Sequence, residues 1–341
     1  MTAEQIQSII KGSRFPGPKA PVTLIETHIS WVILTPAFAF KIKKPLQLAF
    51  LDFSTLEKRA FYCGEELRLN RRLASDMYLD VLPVCLTKDG QPEIRPAAKG
   101  EAPVDFAVAM KRMDNDRQMD KLLRRNGVTA GDIEALAKML VRFHRSVVLS
   151  GNGVSDRAAS NRDDFNDLFM LKKAAERLLG AGAGAQFDAW QQQVGTFLDK
   201  HRERLQQRAQ AGFWVDGHGD LHARNIFLLP EGPLAFDCIE FSEHFRQGDI
   251  LNELAFLCMD LDAGGHHELA EAFMTAYLRE WPCIEGPEDA LLFLYFKAYR
   301  ANVRLKVALL ESEQHRSTAL EQTAQTYWAL LKRYLGQLGS V

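Results

Sequence analysis

Two short polar segments, separated by a hydrophobic run, carry the residues best suited to chemistry. They are His218-Gly-Asp-Leu-His-Ala-Arg-Asn225 and Phe236-Asp-Cys-Ile-Glu240. Asn225 follows Asp220 by five positions, and Asp237 follows it by seventeen. An amide oxygen and a carboxylate are hard ligands of the kind that Mg²⁺ prefers, which leaves Asp220 as a candidate base. The spacing therefore predicts a magnesium site, formed by Asn225 and Asp237, beside a proton acceptor.

This combination is typical of phosphoryl transfer from a nucleotide. The transferred group spreads negative charge over its oxygens, so catalysis depends mainly on positioning and on cations that bridge the donor phosphates. Asp220 is predicted to accept a hydrogen bond or a proton from an acceptor hydroxyl in line with the γ-phosphate of ATP. The same offsets occur in the catalytic loop and metal-binding segment of protein kinases.

Hydrophobic runs around the two segments predict the strands that position them. Gly212–Asp216 is predicted as a strand entering the loop, Asn225–Leu229 as a strand leaving it, and Pro233–Asp237 as its hairpin partner. Both candidate metal ligands would then lie at strand edges.

The two polar segments resemble the signature of the aminoglycoside phosphotransferase family, the kinase-like group that includes choline and fructosamine kinases. Members of one branch, uncharacterised in substrate, are often fused to a C-terminal P-loop ATPase domain. This chain contains no G-x-x-x-x-G-K-[ST] motif, so it resembles the kinase-like half alone, and a functional link to a P-loop ATPase is expected. Further stretches similar to that branch are Glu26–Trp31, Lys41–Pro45, Phe50–Glu57, Leu69–Leu73 and Asp249–Asp260.

The resemblance implies an α+β, protein-kinase-like fold of two lobes. The strand-rich N-lobe is expected at residues 1–113 and the mostly helical C-lobe at residues 114–341. Apolar patterns predict strands at Val22–Ile25, Trp31–Leu34, Phe38–Lys43, Leu79–Leu86 and Phe106–Met110. They predict helices at Ser54–Leu73 with a Ser54/Glu57 capping box, at Asp132–Val147, at Glu268–Glu280 and at Glu288–Leu310, and a break at Gly180–Ala185.

A nucleotide site of this kind needs a lysine for the phosphates. Alternation along Phe38–Lys43 puts Lys41 and Lys43 on the face opposite the apolar side chains. Lys41 best matches the kinase position. The family's helix pattern implies Glu66 as its partner, with Glu65 as the second choice.

Two other segments bear on nucleotide binding. The resemblance places Met110 and Arg112, within Met110–Met113, at a hinge that offers backbone groups to an adenine. The turn where protein kinases carry a glycine-rich loop contains no glycine here. Thr27 or Ser30 in that turn could donate a hydroxyl to a phosphate or cap its own backbone.

Several polar residues have both a structural and a functional interpretation. His218 is expected to brace the catalytic loop, and His222 stays open as an acceptor contact. Glu240 is expected to assist the metal through water or to pair with Arg246. Asp249 resembles the family's aspartate that buttresses the loop, with helix capping as the local alternative.

The acceptor is predicted to be a small-molecule hydroxyl compound. Lys297, Arg300 and Arg304 form a basic stripe at helical spacing, which is either a solvated face or the lining of an acceptor site. In the second case the acceptor would be anionic, and Arg224 in the catalytic loop favours the same conclusion.

Composition excludes several classes of protein. The chain has 341 residues, 47% of them hydrophobic, which suits a folded enzyme. A net charge of −2 argues against binding nucleic acid through bulk electrostatics. Five cysteines without a C-x-x-C pair predict reduced thiols in a cytoplasmic protein. No window approaches the ~20 apolar residues of a membrane span, and none near the start suits a signal peptide.

Three function classes compete. The favoured one is an ATP- and Mg²⁺-dependent phosphotransferase acting on a small-molecule hydroxyl. The second is a nucleotide-binding regulatory pseudokinase, against which the intact Asp220 argues. The third is a metallohydrolase with Asp220, His222 and Asp237 as ligands, but it needs a further element such as Gly-Asn-His, which the chain lacks. A protein acceptor or nucleotidyl transfer also fits a kinase-like fold.

Overall fold

A computed structural model describes residues 1–18, 21–48, 50–150, 157–314 and 317–339. The chain groups into two compact units. The first unit is Met1–Leu122 with His218–Asp220 and Arg224–Arg246, and the second is Leu123–Gly217 with Leu221–Ala223 and Gln247–Val341. The first unit therefore continues nine residues past the predicted boundary at residue 113 and includes two later segments as well.

Strands and helices are both abundant, in agreement with the predicted α+β class. The strands are β1 (Thr23–Glu26), β2 (Ser30–Leu34), β3 (Phe38–Lys43), β4 (Gln47–Leu48), β5 (Leu51–Asp52), β6 (Tyr78–Leu86), β7 (Pro92–Ile94), β8 (Asp105–Lys111), β9 (Trp214–Asp216), β10 (Ile226–Leu229), β11 (Gly232–Ala235) and β12 (Gln247–Asp249).

The helices lie mainly in the second unit. They are α1 (Ala3–Gly12), α2 (Leu56–Ala74), α3 (Met119–Arg124), α4 (Ala130–Ser146), α5 (Arg157–Asn166), α6 (Lys172–Leu179), α7 (Ala183–Lys200), α8 (Arg202–Gln210), α9 (Glu243–Arg246), α10 (Ile250–Ala263), α11 (His267–Glu280), α12 (Pro287–Gln314) and α13 (Thr318–Leu338). Short 3₁₀ turns occupy Asn115–Arg117, Asp167–Leu171 and Ala223–Asn225.

An antiparallel sheet with the strand order β1-β2-β3-β8-β6-β7 forms the centre of the first unit. Strand β3 is paired along both edges, with β2 and β8, and its side chains are buried by packing on both faces of the sheet. Phe40 and Ile42 join the apolar core on one face, whereas Ala39 packs on the opposite face with Cys63 of α2. The predicted alternation along β3 is confirmed, and it directs Lys41 and Lys43 away from the core that contains Phe40 and Ile42.

Helix α2 begins one residue later than its predicted capping box requires. Its N-cap is Thr55, whose hydroxyl accepts the N–H of Lys58 at 3.3 Å. Ser54 instead donates its hydroxyl to Oδ1 of Asp52 at 2.5 Å. The Ser54/Glu57 capping box is therefore wrong, because the turn after β5 already engages the Ser54 side chain.

The predicted hairpin forms, but the two candidate metal ligands lie just outside its strands. Ile226 pairs with Ala235 at the open end of β10 and β11. Asn225 belongs to the preceding 3₁₀ turn, and Asp237 follows the end of β11. The directions of these two side chains are therefore set by the adjoining turns and not by the alternation of the strands.

The second unit is built around α10, which is buried on nearly every side because its sequence is apolar almost throughout. Helices α11 and α12 pack against it, and α13 packs along α12. The predicted break is confined to residues 180–182, since Gly180 with φ +109° ends α6 and α7 begins at Ala183. Among the residues that the structure describes, no helix is long and apolar enough to cross a bilayer.

Candidate active site

His218 fixes the shape of the loop that carries Asp220. Its ring is buried, and Nε2 lies 2.8 Å from the carbonyl oxygen of Phe236. Nδ1 accepts the N–H of Asp220 at 3.3 Å, so a neutral ring protonated on Nε2 satisfies both contacts. The N–H of Ile239 also donates to the carbonyl of His218 at 3.0 Å. His218 thus joins the loop to the Asp237 segment, in the bracing role expected from the sequence.

Gly219 is required by both conformation and space. Its φ is +81°, and a Cβ there would lie 3.0 Å from the carbonyl oxygen of Phe245. We expect Gly219→Ala to destabilise the protein by about 1–3 kcal/mol and to displace Asp220. Gly90→Ala is the matched control, because Gly90 has φ +72° with no atom within 4 Å of an added Cβ. Equal losses of unfolding free energy in urea for the two variants would contradict the close-contact argument.

Asp220 and Asn225 are hydrogen-bonded to each other within the loop. The amide nitrogen of Asn225 donates to Oδ2 of Asp220 at 2.9 Å and to its carbonyl oxygen at 3.0 Å. This orientation turns Asn225 Oδ1 away from Asp220. The carbonyl of Asn225 accepts the N–H of Phe236 at 2.9 Å, so the two candidate metal ligands lie at the same end of the hairpin.

Asp237 adopts a left-handed backbone conformation that is uncommon for a residue other than glycine. Its φ is +62°. Two side chains hold the backbone there: Tyr78 OH accepts the N–H of Asp237 at 3.2 Å, and Asn70 Oδ1 accepts the N–H of Cys238 at 2.9 Å. The Asp237 side chain is 45% exposed, which leaves its carboxylate accessible to a ligand.

Five charged residues form a continuous ion network: Lys41, Lys43, Glu66, Asp237 and Glu240. Glu66 uses one oxygen for each lysine, with Oε1 2.8 Å from Lys41 and Oε2 2.6 Å from Lys43. Lys41 also lies 2.6 Å from Asp237 Oδ1, and Lys43 directly contacts Glu240. All of these side chains except Asp237 are buried. The sequence left open which lysine pairs with Glu66, and the structure places both against it.

Burial and charge oppose each other in the pKa values of this network. Burial alone would raise the pKa of Glu66, but Lys41 and Lys43 outweigh it and lower the pKa to about 2. Burial alone would lower the pKa of Lys41, but Asp237 and Glu66 raise it well above its ordinary value. Burial raises the pKa of Glu240, and the contact with Lys43 opposes that shift. Burial, followed by the nearby carboxylates, also raises the pKa of Tyr78, so its hydroxyl stays protonated.

Glu66 therefore makes a pH-dependent contribution to stability. Its pKa is about 2 in the folded protein against an ordinary value of 4.5, so the unfolded chain binds the proton more readily. The contribution, on the order of 3 kcal/mol, is complete above about pH 4.5 and is lost as the pH falls towards 2. We expect Glu66→Gln to lower the free energy of unfolding in urea strongly at pH 7, and the difference from wild type to narrow at pH 3. Glu65→Gln is the control, and a difference for Glu66→Gln that is constant with pH would contradict this assignment.

The remaining residues predicted for the nucleotide lie nearby in the first unit. Glu65 is paired with Arg68 at 2.6 Å. Met110 is buried in β8, and Arg112 follows that strand with its N–H donated to the carbonyl of Ala37 at 2.9 Å. The contact of Met110 and Arg112 with an adenine stays a prediction.

The turn without glycine is closed by its own side chains. Thr27 Oγ1 accepts the N–H of Ser30 at 3.0 Å and lies 2.9 Å from the hydroxyl of Ser30. The backbone-capping interpretation of these hydroxyls therefore describes the structure.

Asp249 does not buttress the catalytic loop as the resemblance implied. Its Oδ1 accepts the N–H of Leu251 at 2.8 Å and thereby caps α10, and both carboxylate oxygens accept from Arg208, at 2.7 and 2.9 Å. The buried Arg208 guanidinium therefore binds both oxygens of the Asp249 carboxylate. Asp260, at the other end of α10, accepts the N–H of Ala223 at 2.9 Å and takes the buttressing role within the second unit.

The basic residues of α12 do not form a solvated stripe. Each is paired inside the second unit: Lys297 with Asp262 at 2.5 Å, Arg300 with Asn252 at 2.7 Å, and Arg304 with Tyr327 at 3.2 Å. These side chains hold helices of the second unit together, and the Lys297 pair joins opposite charges, whereas Arg300 and Arg304 donate to neutral groups. Arg224, which also suggested an anionic acceptor, is exposed.

Sequence reasoning missed Tyr78 and Asn70, which hold the Asp237 segment. Tyr78 is 159 positions from Asp237, so no local pattern connects them. Asn70 left a weak signal, because it lies four residues after Glu66 on the same buried face of α2.

Residues 107–287 match the phosphotransferase enzyme family APH. The chain therefore belongs to this family, and the resemblance inferred from the catalytic motifs is confirmed. Uncharacterised proteins of Mycobacterium tuberculosis and Mycobacterium bovis are 30% identical over 300 residues. The alignment covers 86% of this chain and 56% of each relative, so the chain spans about half the length of the curated relatives it matches.

Solved kinase structures share the fold. A choline kinase from Cryptosporidium parvum Iowa II matches with a TM-score of 0.55 at 12% identity, over 99% of this chain and 95% of the other. An ethanolamine kinase from Plasmodium vivax matches with a TM-score of 0.55 at 10% identity, over 97% and 87%. The predicted protein-kinase-like fold is confirmed by this likeness.

Proposed function

We propose that this protein transfers the γ-phosphate of ATP, with Mg²⁺, to a hydroxyl group of a small molecule. The observation that carries the proposal is the arrangement of Asp220, Asn225 and Asp237 on two mutually hydrogen-bonded segments, with Lys41 in contact with Asp237. Membership of a phosphotransferase family supports the reaction class.

The donor atoms suit a magnesium ion. Asn225 Oδ1 is turned away from Asp220, and the half-exposed carboxylate of Asp237 is the second hard oxygen donor. When bound, the ion would neutralise charge on the donor phosphates. Lys41 would then contact the phosphates while Glu66 holds its ammonium group in place.

Asp220 would act on the acceptor. Its Oδ2 is held by the Asn225 amide, and its N–H is held by His218, so the carboxylate is oriented before any acceptor arrives. A carboxylate so oriented accepts the hydroxyl proton during transfer. The acceptor class is a small-molecule alcohol, and amino alcohols are the first to try because choline and ethanolamine kinases share the fold.

The compartment that we propose for this protein is the reducing cytoplasm. All five cysteines are free and buried, as expected of thiols that never meet an oxidising environment.

Transfer of label from γ-³²P-ATP to a panel of hydroxyl compounds tests the proposed function. The panel contains amino alcohols, amino sugars, sugars and their anionic derivatives, each with and without Mg²⁺. Labelled product that requires Mg²⁺ and is absent with Asp220→Ala supports the proposal. If the acceptor instead becomes labelled from α-³²P-ATP in a Mg²⁺-dependent reaction, the protein transfers the nucleotidyl group, and the proposal of phosphate transfer is wrong.

A further inference from the structure

Two buried lysines share one glutamate in the ion network. Lys41 and Lys43 take one oxygen each of Glu66, so a single negative charge is divided between two cations. The two ammonium groups together therefore need one more carboxylate besides Glu66, since an uncompensated buried charge is costly. Two further carboxylates are in reach: Glu240 contacts Lys43, and Asp237 lies 2.6 Å from Lys41.

The charges of the buried members balance without Asp237. Lys41, Lys43, Glu66 and Glu240 are at most 8% exposed and carry two positive and two negative charges. Asp237, with 45% of its side chain exposed, is the surplus carboxylate. Its negative charge is therefore not needed to neutralise the lysines.

We propose that Glu240 is a positioning residue that neutralises Lys43 and thereby leaves Asp237 free to bind a divalent cation. This inference rests on the proposed role of Asp237 as a metal ligand. Glu240 need not touch the metal, because it acts through Lys43 and Glu66.

Removing the charge of Glu240 has a defined consequence. In Glu240→Gln the two lysines would face only Glu66 and Asp237, and the ion network would become neutral. Asp237 would then be held by Lys41 in the role of a required counter-ion. A divalent cation would have to compete with that lysine, whereas the phosphates of metal-free ATP would meet a more positive site.

Titration with Mn²⁺ alone, followed by electron paramagnetic resonance, tests the inference without any nucleotide. We expect Glu240→Gln to bind Mn²⁺ on the order of tenfold more weakly than wild type. ATP binding measured by calorimetry in EDTA should be unchanged or tighter in the variant. Glu65→Gln, which alters an exposed pair on the same helix as Glu66, should match wild type in both titrations.

Two variants of Lys43 distinguish charge balance from a purely structural role, in which Glu240 holds the Asp237 segment in place through its contact with Lys43. Lys43→Met and Lys43→Met/Glu240→Gln remove the cation that Glu240 neutralises, and methionine can pack on Phe53, whose ring centre lies 4.8 Å from the Lys43 ammonium group. If charge balance is the cause, Lys43→Met/Glu240→Gln, which has the net charge of the wild-type network, should bind Mn²⁺ within about threefold of wild type, and Lys43→Met should bind it at least as tightly as wild type. Weak Mn²⁺ binding in all three variants would overturn the proposal in favour of the purely structural role of the contact between Lys43 and Glu240.

The outcomes also separate this inference from the proposed function. Equal Mn²⁺ binding by wild type and Glu240→Gln overturns the inference even if ATP binds with Mg²⁺. A loss of Mn²⁺ binding confined to Glu240→Gln upholds the inference even if wild type binds no ATP, which would overturn the proposed function. Absence of Mn²⁺ binding by wild type overturns both.

Discussion

Asp220→Asn is expected to lower the rate of phosphate transfer by about 10²–10⁴-fold while ATP affinity stays within about threefold. The amide cannot take up the proton of the acceptor hydroxyl, but its oxygen can still accept the N–H of Asn225, so the loop keeps its shape. Steady-state transfer to the hydroxyl compound that wild type phosphorylates measures the first effect, and calorimetry with Mg²⁺ and ATP measures the second.

Glu243→Gln is the matched control for this variant. Glu243 follows the same stretch of chain and is 78% exposed, so its charge should not matter to transfer. If Asp220→Asn weakens ATP binding as much as it slows transfer, Asp220 holds the nucleotide and is not the base.

Asp237→Ala is expected to remove the magnesium-dependent part of ATP binding, a loss on the order of 100-fold or more. The substitution deletes the exposed carboxylate that we assign to the metal, and it also frees Lys41 from that partner. Binding of ATP in EDTA should therefore survive in the variant. Calorimetric titrations of wild type and Asp237→Ala, with Mg²⁺ and with EDTA, measure both parts.

The two variants discriminate between the assigned roles because they act on different quantities. Asp220→Asn should change turnover with little effect on binding, whereas Asp237→Ala should change binding first. Equal loss of ATP affinity in both would contradict the assignment of base and metal ligand.

The parts of the site that could be predicted from sequence are those set by local chain geometry. The five-residue offset between Asp220 and Asn225 spans a single loop, and their hydrogen bonds follow from it. The alternation of β3 likewise determined that Lys41 and Lys43 share a face, because side chains on a strand alternate wherever the strand lies.

The parts that could not be predicted depend on contacts between distant segments. Glu240 is 197 residues from Lys43, and Asn70 is 168 residues from Cys238, so no periodicity connects either pair. The sequence posed a choice between two lysines for Glu66, but the carboxylate has two oxygens and contacts both. For Asp249 the local alternative, capping of α10, describes the structure, and the distant Arg208, which no local pattern connects to it, also binds the carboxylate.

Helix α1 is an element that the sequence pattern alone indicates only weakly. It has a clear Thr2/Gln5 capping box, yet only Ile6 and Ile9 are buried along its ten residues. Such a short apolar stripe predicts a helix weakly, and packing on the sheet supplies the rest.

Calorimetric titration of the wild-type protein with ATP, once with Mg²⁺ and once with the metal chelated, tests the central claim most directly. The claim is that Asn225 and Asp237 form a metal site serving a nucleotide that Lys41 also contacts. Saturable binding that is markedly tighter with Mg²⁺ is the predicted result. No binding in either condition, or binding that is identical in both, would contradict it.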